Sequence, residues 1–243
     1  MIRGVRNLIL VHLVANGLLL WLAYKWLSLD ESSGARLLWS VLDVLAILAL
    51  ACWLYGATIV YFRMGIERIN ESFRSALRHV PALLLFAVVV LTLYGLITLW
   101  SIASDQPPFN VASWLTMKLR KPVKPETIAS IYHAVFWLLR WVILPVLLLP
   151  LAAGIAVKGW RGWREAVRRR RWRDWVLMPL MLLAGLWLPL VLVGWTPKVA
   201  GFGLEMASFL LRAAVGYLLF VGALIALASH LGHTGFQPGT HRG

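Results

Sequence analysis

The chain has 243 residues, 60% of them hydrophobic, and its mean hydropathy is +0.77. Apolar runs of the length seen here exceed what a soluble domain carries. The formal charge of +14 lies almost wholly between those runs, so anionic lipid headgroups are the expected partner and nucleic acid is not. A single cysteine, Cys52, excludes an internal disulfide and a cysteine-rich metal centre.

Six apolar stretches follow one another along the chain. The first spans residues 7–27, after Arg3 and Arg6. Its apolar part is about 20 residues, longer than the roughly 7–15 of a cleaved signal. No Ala-x-Ala site follows it, so it reads as an uncleaved first span. A polar turn with Asp30, Glu31, Ser32 and Ser33 leads to span two, residues 37–62. Span three covers 80–101, span four 131–157, span five 175–196 and span six 206–228. The expected fold class is therefore all-α: a polytopic bundle of six transmembrane helices in one domain, residues 1–229. Residues 230–243 read as a flexible tail.

Three connections carry helical periodicity. In residues 64–79, Ile66, Ile69, Phe73 and Leu77 recur at helical spacing among Arg68, Arg74 and Arg78. In residues 159–174, Trp160, Trp163 and Val167 share a face beside the run Arg168, Arg169, Arg170, Arg171 and Arg173. Both read as amphipathic helices in the headgroup layer, with the arginine run as the candidate site for anionic lipid. A shorter piece, residues 110–120, lies between spans three and four, with Asn110 as its expected cap and Pro122 beyond its end.

Lysine and arginine set the expected orientation. Fifteen lie on the side of both termini and the two long basic connections, and seven on the other side. Both termini are expected in the cytoplasm. The cluster Lys118, Arg120, Lys121 and Lys124 opposes that bias. The layout resembles small bacterial polytopic proteins built from span–interfacial helix–span units. That likeness is generic; it implies a bacterial inner membrane and no activity.

Spans two and three with their connection match spans four and five in layout. Residues 133–140 and 205–212 both end in an aromatic, two leucines and an arginine, with a polar residue seven positions earlier. Arg36 and Asp43 repeat that spacing in span two. A parallel duplication is expected from this pattern.

Three charges fall inside the spans: Asp43, Arg140 and Arg212. Each lies about 10–15 Å below the outer end of its span at 1.5 Å per residue. An unpaired charge at a helix centre costs about 2.5–3.5 kcal/mol. Asp43 is therefore expected against Arg140 or Arg212, either as an ion pair fixing register or as part of a cavity for an anionic group. His12 and His133 read as hydrogen-bonded packing residues. His230, His233 and His241 do not make a metal site, and no metal is expected. Tryptophans such as Trp26, Trp100, Trp160 and Trp195 form an aromatic belt, and Pro145, Pro150, Pro179 and Pro189 should kink spans four and five.

No Walker A loop, His-Glu-x-x-His helix or Gly-x-Ser-x-Gly elbow occurs, so neither a catalytic set nor a cofactor is expected. The sequence reads as a non-enzymatic membrane protein: a scaffold, a subunit of a membrane-protein partner, or a lipid-interacting protein. The alternative is a small permease for an anionic or lipidic solute, with Arg140 and Asp43 lining its site.

Overall fold

A computed structural model describes residues 2–29, 32–64, 69–104, 106–165, 172–197 and 201–234. The described residues are 91% helical, and no strand occurs among them. Six helices are long and apolar enough to cross a membrane, so the chain is built as a multi-pass membrane protein.

Helix α1 is Ile2–Leu27 and α2 is Gly34–Met64. Ser33 starts α2: its Oγ accepts from the Arg36 amide at 3.4 Å, serving one of the unpaired first-turn donors. Helix α3 (Ile69–Leu77) lies between spans two and three, and α4 (Val80–Ala103) is span three. Helix α5 (Pro107–Leu119) precedes span four, which runs through α6 (Pro125–Leu138), a π segment (Leu139–Ile143) and α7 (Leu144–Lys158). A short 3₁₀ turn leads to α8 (Gly162–Glu165). Span five runs through α9 (Asp174–Leu182), a second π segment (Leu183–Trp187) and α10 (Leu188–Gly194). Span six is α11 (Phe202–Thr234). Helices α4, α5 and α6 each carry proline in the first turn, where its missing N–H costs no hydrogen bond.

Helix α2 is central and packs on α1, α3, α4, α7 and α11. The main core joins Ile59, Phe86, Val146, Ile155, Met178 and Leu227 from five of the spanning helices. Most other large apolar side chains face outward, including Leu20, Leu91, Leu190 and Leu211, as a lipid-facing bundle requires.

Both described connections on the basic side fold back onto the bundle. Ser72 and Ala76 of α3 are buried, and Trp53 Nε1 of α2 donates to the Phe73 carbonyl at 2.8 Å. Leu77, expected on the apolar face, is 54% exposed, and Ile66 lies outside the described residues. In the second connection, Gly159 turns the chain with φ 58°, and α8 returns against α7. A Cβ at Gly162 would lie 2.4 Å from the Gly154 carbonyl, so two glycines allow the backbones to touch.

The π segments share one pattern: Leu139 and Leu183 open them, and each is followed by Leu-Pro, at 144–145 and 188–189. In each, the amide after the segment bonds the carbonyl five residues back. Two of the prolines expected to kink their spans therefore follow π segments, whereas Pro150 and Pro179 lie within regular α-helix. Spans two and three show no π segment among the described residues, so this irregularity does not follow the proposed duplication.

Span six extends beyond its expected end. His230 to Thr234 continue the helix rather than beginning a tail, because Gly232 packs its backbone against Phe62 and Arg63 of α2. The rest of the expected tail, residues 235–243, lies outside the described residues.

Candidate functional site: a buried polar network and three charges within the spans

A cluster of enclosed polar groups lies between α1 and α2. His12, Asn16 and Thr58 are 0–2% exposed. The Thr58 hydroxyl donates to its own helix at Leu54 O, 2.8 Å away. Its oxygen is then an acceptor, so the His12 Nε2–H donates to it at 2.7 Å. The Nδ1 lone pair of His12 faces Asn16 Nδ2 at 3.2 Å, and the same amide donates to the His12 carbonyl at 2.9 Å. Asn16 Oδ1 in turn accepts from the Tyr55 hydroxyl. Nearby, the Tyr217 hydroxyl of α11 donates to the Leu13 carbonyl. One tautomer of one histidine thus satisfies a chain of four side chains, and three spans are tied together.

The sequence marks His12 as a packing residue, and these contacts show what it packs with. Asn16, Tyr55, Thr58 and Tyr217 do not stand out in the sequence. Their signal is local spacing: His12 and Asn16 are four apart, Tyr55 and Thr58 three apart, so each pair shares a helix face.

The three charges inside the spans lie at one level. Contacts between helices mark a common level on the basic side: Gly232 meets Arg63, a Cβ at Gly159 would meet His79, and His230 meets Asp174 at 3.1 Å. Eighteen residues separate Arg140 from Lys158 and Arg212 from His230, and twenty separate Asp43 from Arg63. At 1.5 Å per residue all three charges stand about 27–30 Å above that level. The three charges therefore share a similar depth, far from the basic connections.

Asp43 forms no ion pair with Arg140 or Arg212, and no hydrogen bond to its carboxylate occurs among the described residues. Its side chain is half-buried, so the bundle does not enclose it. Arg212 serves the fold. Its Nη1 donates to Leu192 O at 3.2 Å and Val193 O at 3.5 Å, and its Nε to Ser208 O at 3.2 Å. Leu192 and Val193 end α10, where carbonyls lack helical donors, so Arg212 caps that helix with charge of the favourable sign. Its guanidinium also lies 6.0 Å from the Trp195 ring.

Arg140 lies in the first π segment. Because the Leu144 amide bonds Leu139 O there, the Arg140 carbonyl loses its usual helical donor. The Tyr94 hydroxyl replaces that donor at 2.8 Å. The Arg140 side chain is less well served: Nη2 reaches Ile97 O only at 3.5 Å, and Nε is buried with no acceptor.

Three of the bundle's grooves bear on these residues. Two are apolar and open to the bundle surface, with volumes of about 340 and 400 Å³. One is lined by Trp26, Val41, Leu45 and Leu91, the other by Ile9, Leu13, Phe62 and Leu218. The third, about 30 Å³, lies between Ser101, Ser104, Tyr132 and His133 and has room for a water. Asp43, Arg140 and Arg212 line none of them. Of the expected lipid-binding arginines, Arg173 is exposed beside the start of α9, and Arg168, Arg169, Arg170 and Arg171 lie outside the described residues. No family model, curated protein or solved structure matches the chain.

Proposed function

We propose that the protein is a non-enzymatic component of a bacterial inner membrane, a scaffold or partner subunit that gathers anionic lipid at its basic face, with both termini in the cytoplasm. One observation carries this reading. The polar side chains enclosed between α1 and α2, His12, Asn16, Tyr55 and Thr58, satisfy one another in a linked chain. A conduction or catalytic site needs polar groups left available to a solute, whereas this network holds helices in register. The excess of arginine on the face of α3 and α8 supports the lipid part of the reading.

A second reading rests on Arg140. A buried guanidinium nitrogen without an acceptor suits a permease that admits an anionic group from the far boundary. Liposome reconstitution separates the two. The scaffold reading expects no anion flux above that of protein-free liposomes for phosphate, sulfate or small carboxylates. It also expects retained phosphatidylglycerol, detected by native mass spectrometry, to fall when Arg168, Arg169, Arg170 and Arg171 become Gln. Flux that disappears in Arg140→Gln would establish the permease instead.

A further inference from the structure

The basic cluster that opposes the charge asymmetry has a structural setting of its own, independent of the scaffold reading. Helix α4 has 24 residues, about 36 Å at 1.5 Å per residue, which overshoots a core of about 30 Å. Its end and the start of α5 therefore lie in the headgroup layer opposite the arginine-rich connections.

Helix α5 packs one side on α6 and leaves the other bare. Pro108 and Ala112 are buried, with Val111 and Leu115 half-buried. The opposite arc carries Phe109, Trp114 and Met117, which are 54%, 53% and 73% exposed. At 3.6 residues per turn these three span an arc of about 140°. Asn110 and Ser113 also fall within that arc; Ser113 turns its hydroxyl onto the Phe109 carbonyl at 2.9 Å and so offers no free donor.

Cations frame this apolar arc. Lys118 Nζ lies 4.7 Å from the Trp114 ring centroid. Arg120 ends the helix with φ 52°, and the following loop is tied back by the Val123 amide donating to Thr116 Oγ1 at 3.0 Å. That tie keeps exposed Arg120, Lys121 and Lys124 beside α5. Residues 106–130 contain four cations and only one carboxylate, Glu126.

We infer that α5 and its following loop form a clamp for anionic phospholipid in the leaflet opposite the basic face. Phe109, Trp114 and Met117 enter the acyl boundary, and Lys118, Arg120, Lys121 and Lys124 hold the phosphates. Exposed aromatic and thioether side chains would be poorly placed in water, and beside a span end the acyl boundary is the apolar phase at hand. The net positive rim selects anionic over zwitterionic headgroups, each cation near the surface raising affinity about fivefold.

The test uses the full chain in a Cys52→Ala background with a nitroxide at Met117→Cys. It is reconstituted in phosphatidylcholine vesicles with and without phosphatidylglycerol. The label should be more accessible to oxygen than to a water-soluble nickel chelate, whereas a label at Glu126→Cys should show the reverse. Spin-labelled phosphatidylglycerol headgroups should broaden the Met117 signal at least about fivefold more than spin-labelled phosphatidylcholine at equal mole fraction. Changing Lys118, Arg120, Lys121 and Lys124 to Gln should abolish that preference. A wild-type label open to the nickel chelate would show a water-facing surface, suited to a protein partner, and would overturn the clamp. Equal broadening by the two lipids in the wild-type chain would overturn it as well.

Discussion

His12 Nε2 and Thr58 Oγ1 meet at 2.7 Å across two spans, although 46 residues separate them in the chain. Because Thr58 commits its only hydroxyl proton to Leu54 O, the bond has one direction and sets the histidine tautomer. Interhelical hydrogen bonds in membranes contribute about 0.6 kcal/mol on average and up to about 1.7. This one sits at the upper end of burial, and loss of one partner leaves the other unsatisfied. His12→Ala should therefore destabilise the protein by about 1–3 kcal/mol. In a double-mutant cycle with Thr58→Val, measured by reversible unfolding in detergent, the coupling should be about 0.6–1.7 kcal/mol. A coupling of zero would remove the bond from the account of how α1 is held.

The Gly154–Gly162 contact is steric rather than polar. A methyl group at Gly162 would lie 2.4 Å from the Gly154 carbonyl and 2.5 Å from the Ile155 amide nitrogen. Backbone cannot yield as a flexible side chain can, so Gly162→Ala should cost about 1–3 kcal/mol or force α8 off α7. Gly95→Ala is the control. Its added methyl meets nothing within 4 Å, and alanine favours helix over glycine by about 1 kcal/mol. Thermal unfolding should separate the two variants in opposite directions, and equal effects would count against the close approach.

The six spans are legible in the sequence because length and hydropathy are local properties: a run of about 20 apolar residues has few other uses. The partner of His12 is not legible, since helical periodicity fixes which residues share a face but not how far one helix slides along another. Thr58 lies among apolar residues of α2, and only register brings it to His12. The absence of an ion pair at Asp43 among the described residues is not legible for the same reason, since which charges meet across three helices depends on their register. The arginine capping α10 is likewise invisible in the sequence, because Arg212 and Leu192 belong to different spans.

The contrast between Asp43 and Arg212 leads to a third prediction. Asp43 has no ionic partner among the described residues, so Asp43→Asn should change stability by no more than about 0.5 kcal/mol, as for a surface site. Arg212→Ala should cost more, about 1–3 kcal/mol, because the Leu192 and Val193 carbonyls lose a charged donor. Unfolding midpoints of the two single variants decide the matter. A large loss in Asp43→Asn that is recovered by adding Arg140→Gln would restore the ion pair and overturn the prediction.

The last prediction concerns orientation. An even number of spans puts the two ends of the chain on one side of the membrane, whichever side that is. The turn before α2 then lies with the Lys118 cluster, and the end of α11 lies with α3 and α8. Fifteen basic residues on the latter side against seven on the former favour its retention in the cytoplasm. In a Cys52→Ala background, Ser33→Cys should react with an impermeant maleimide added to intact cells, and Thr234→Cys should react only after the membrane is opened. The Lys118 cluster supplies four of the seven opposing charges, so removing it should leave this pattern unchanged or sharpen it. Labelling of Thr234→Cys in intact cells would reverse the assigned orientation. It would also move the arginine-rich connections to the outside, against the charge asymmetry on which the assignment rests.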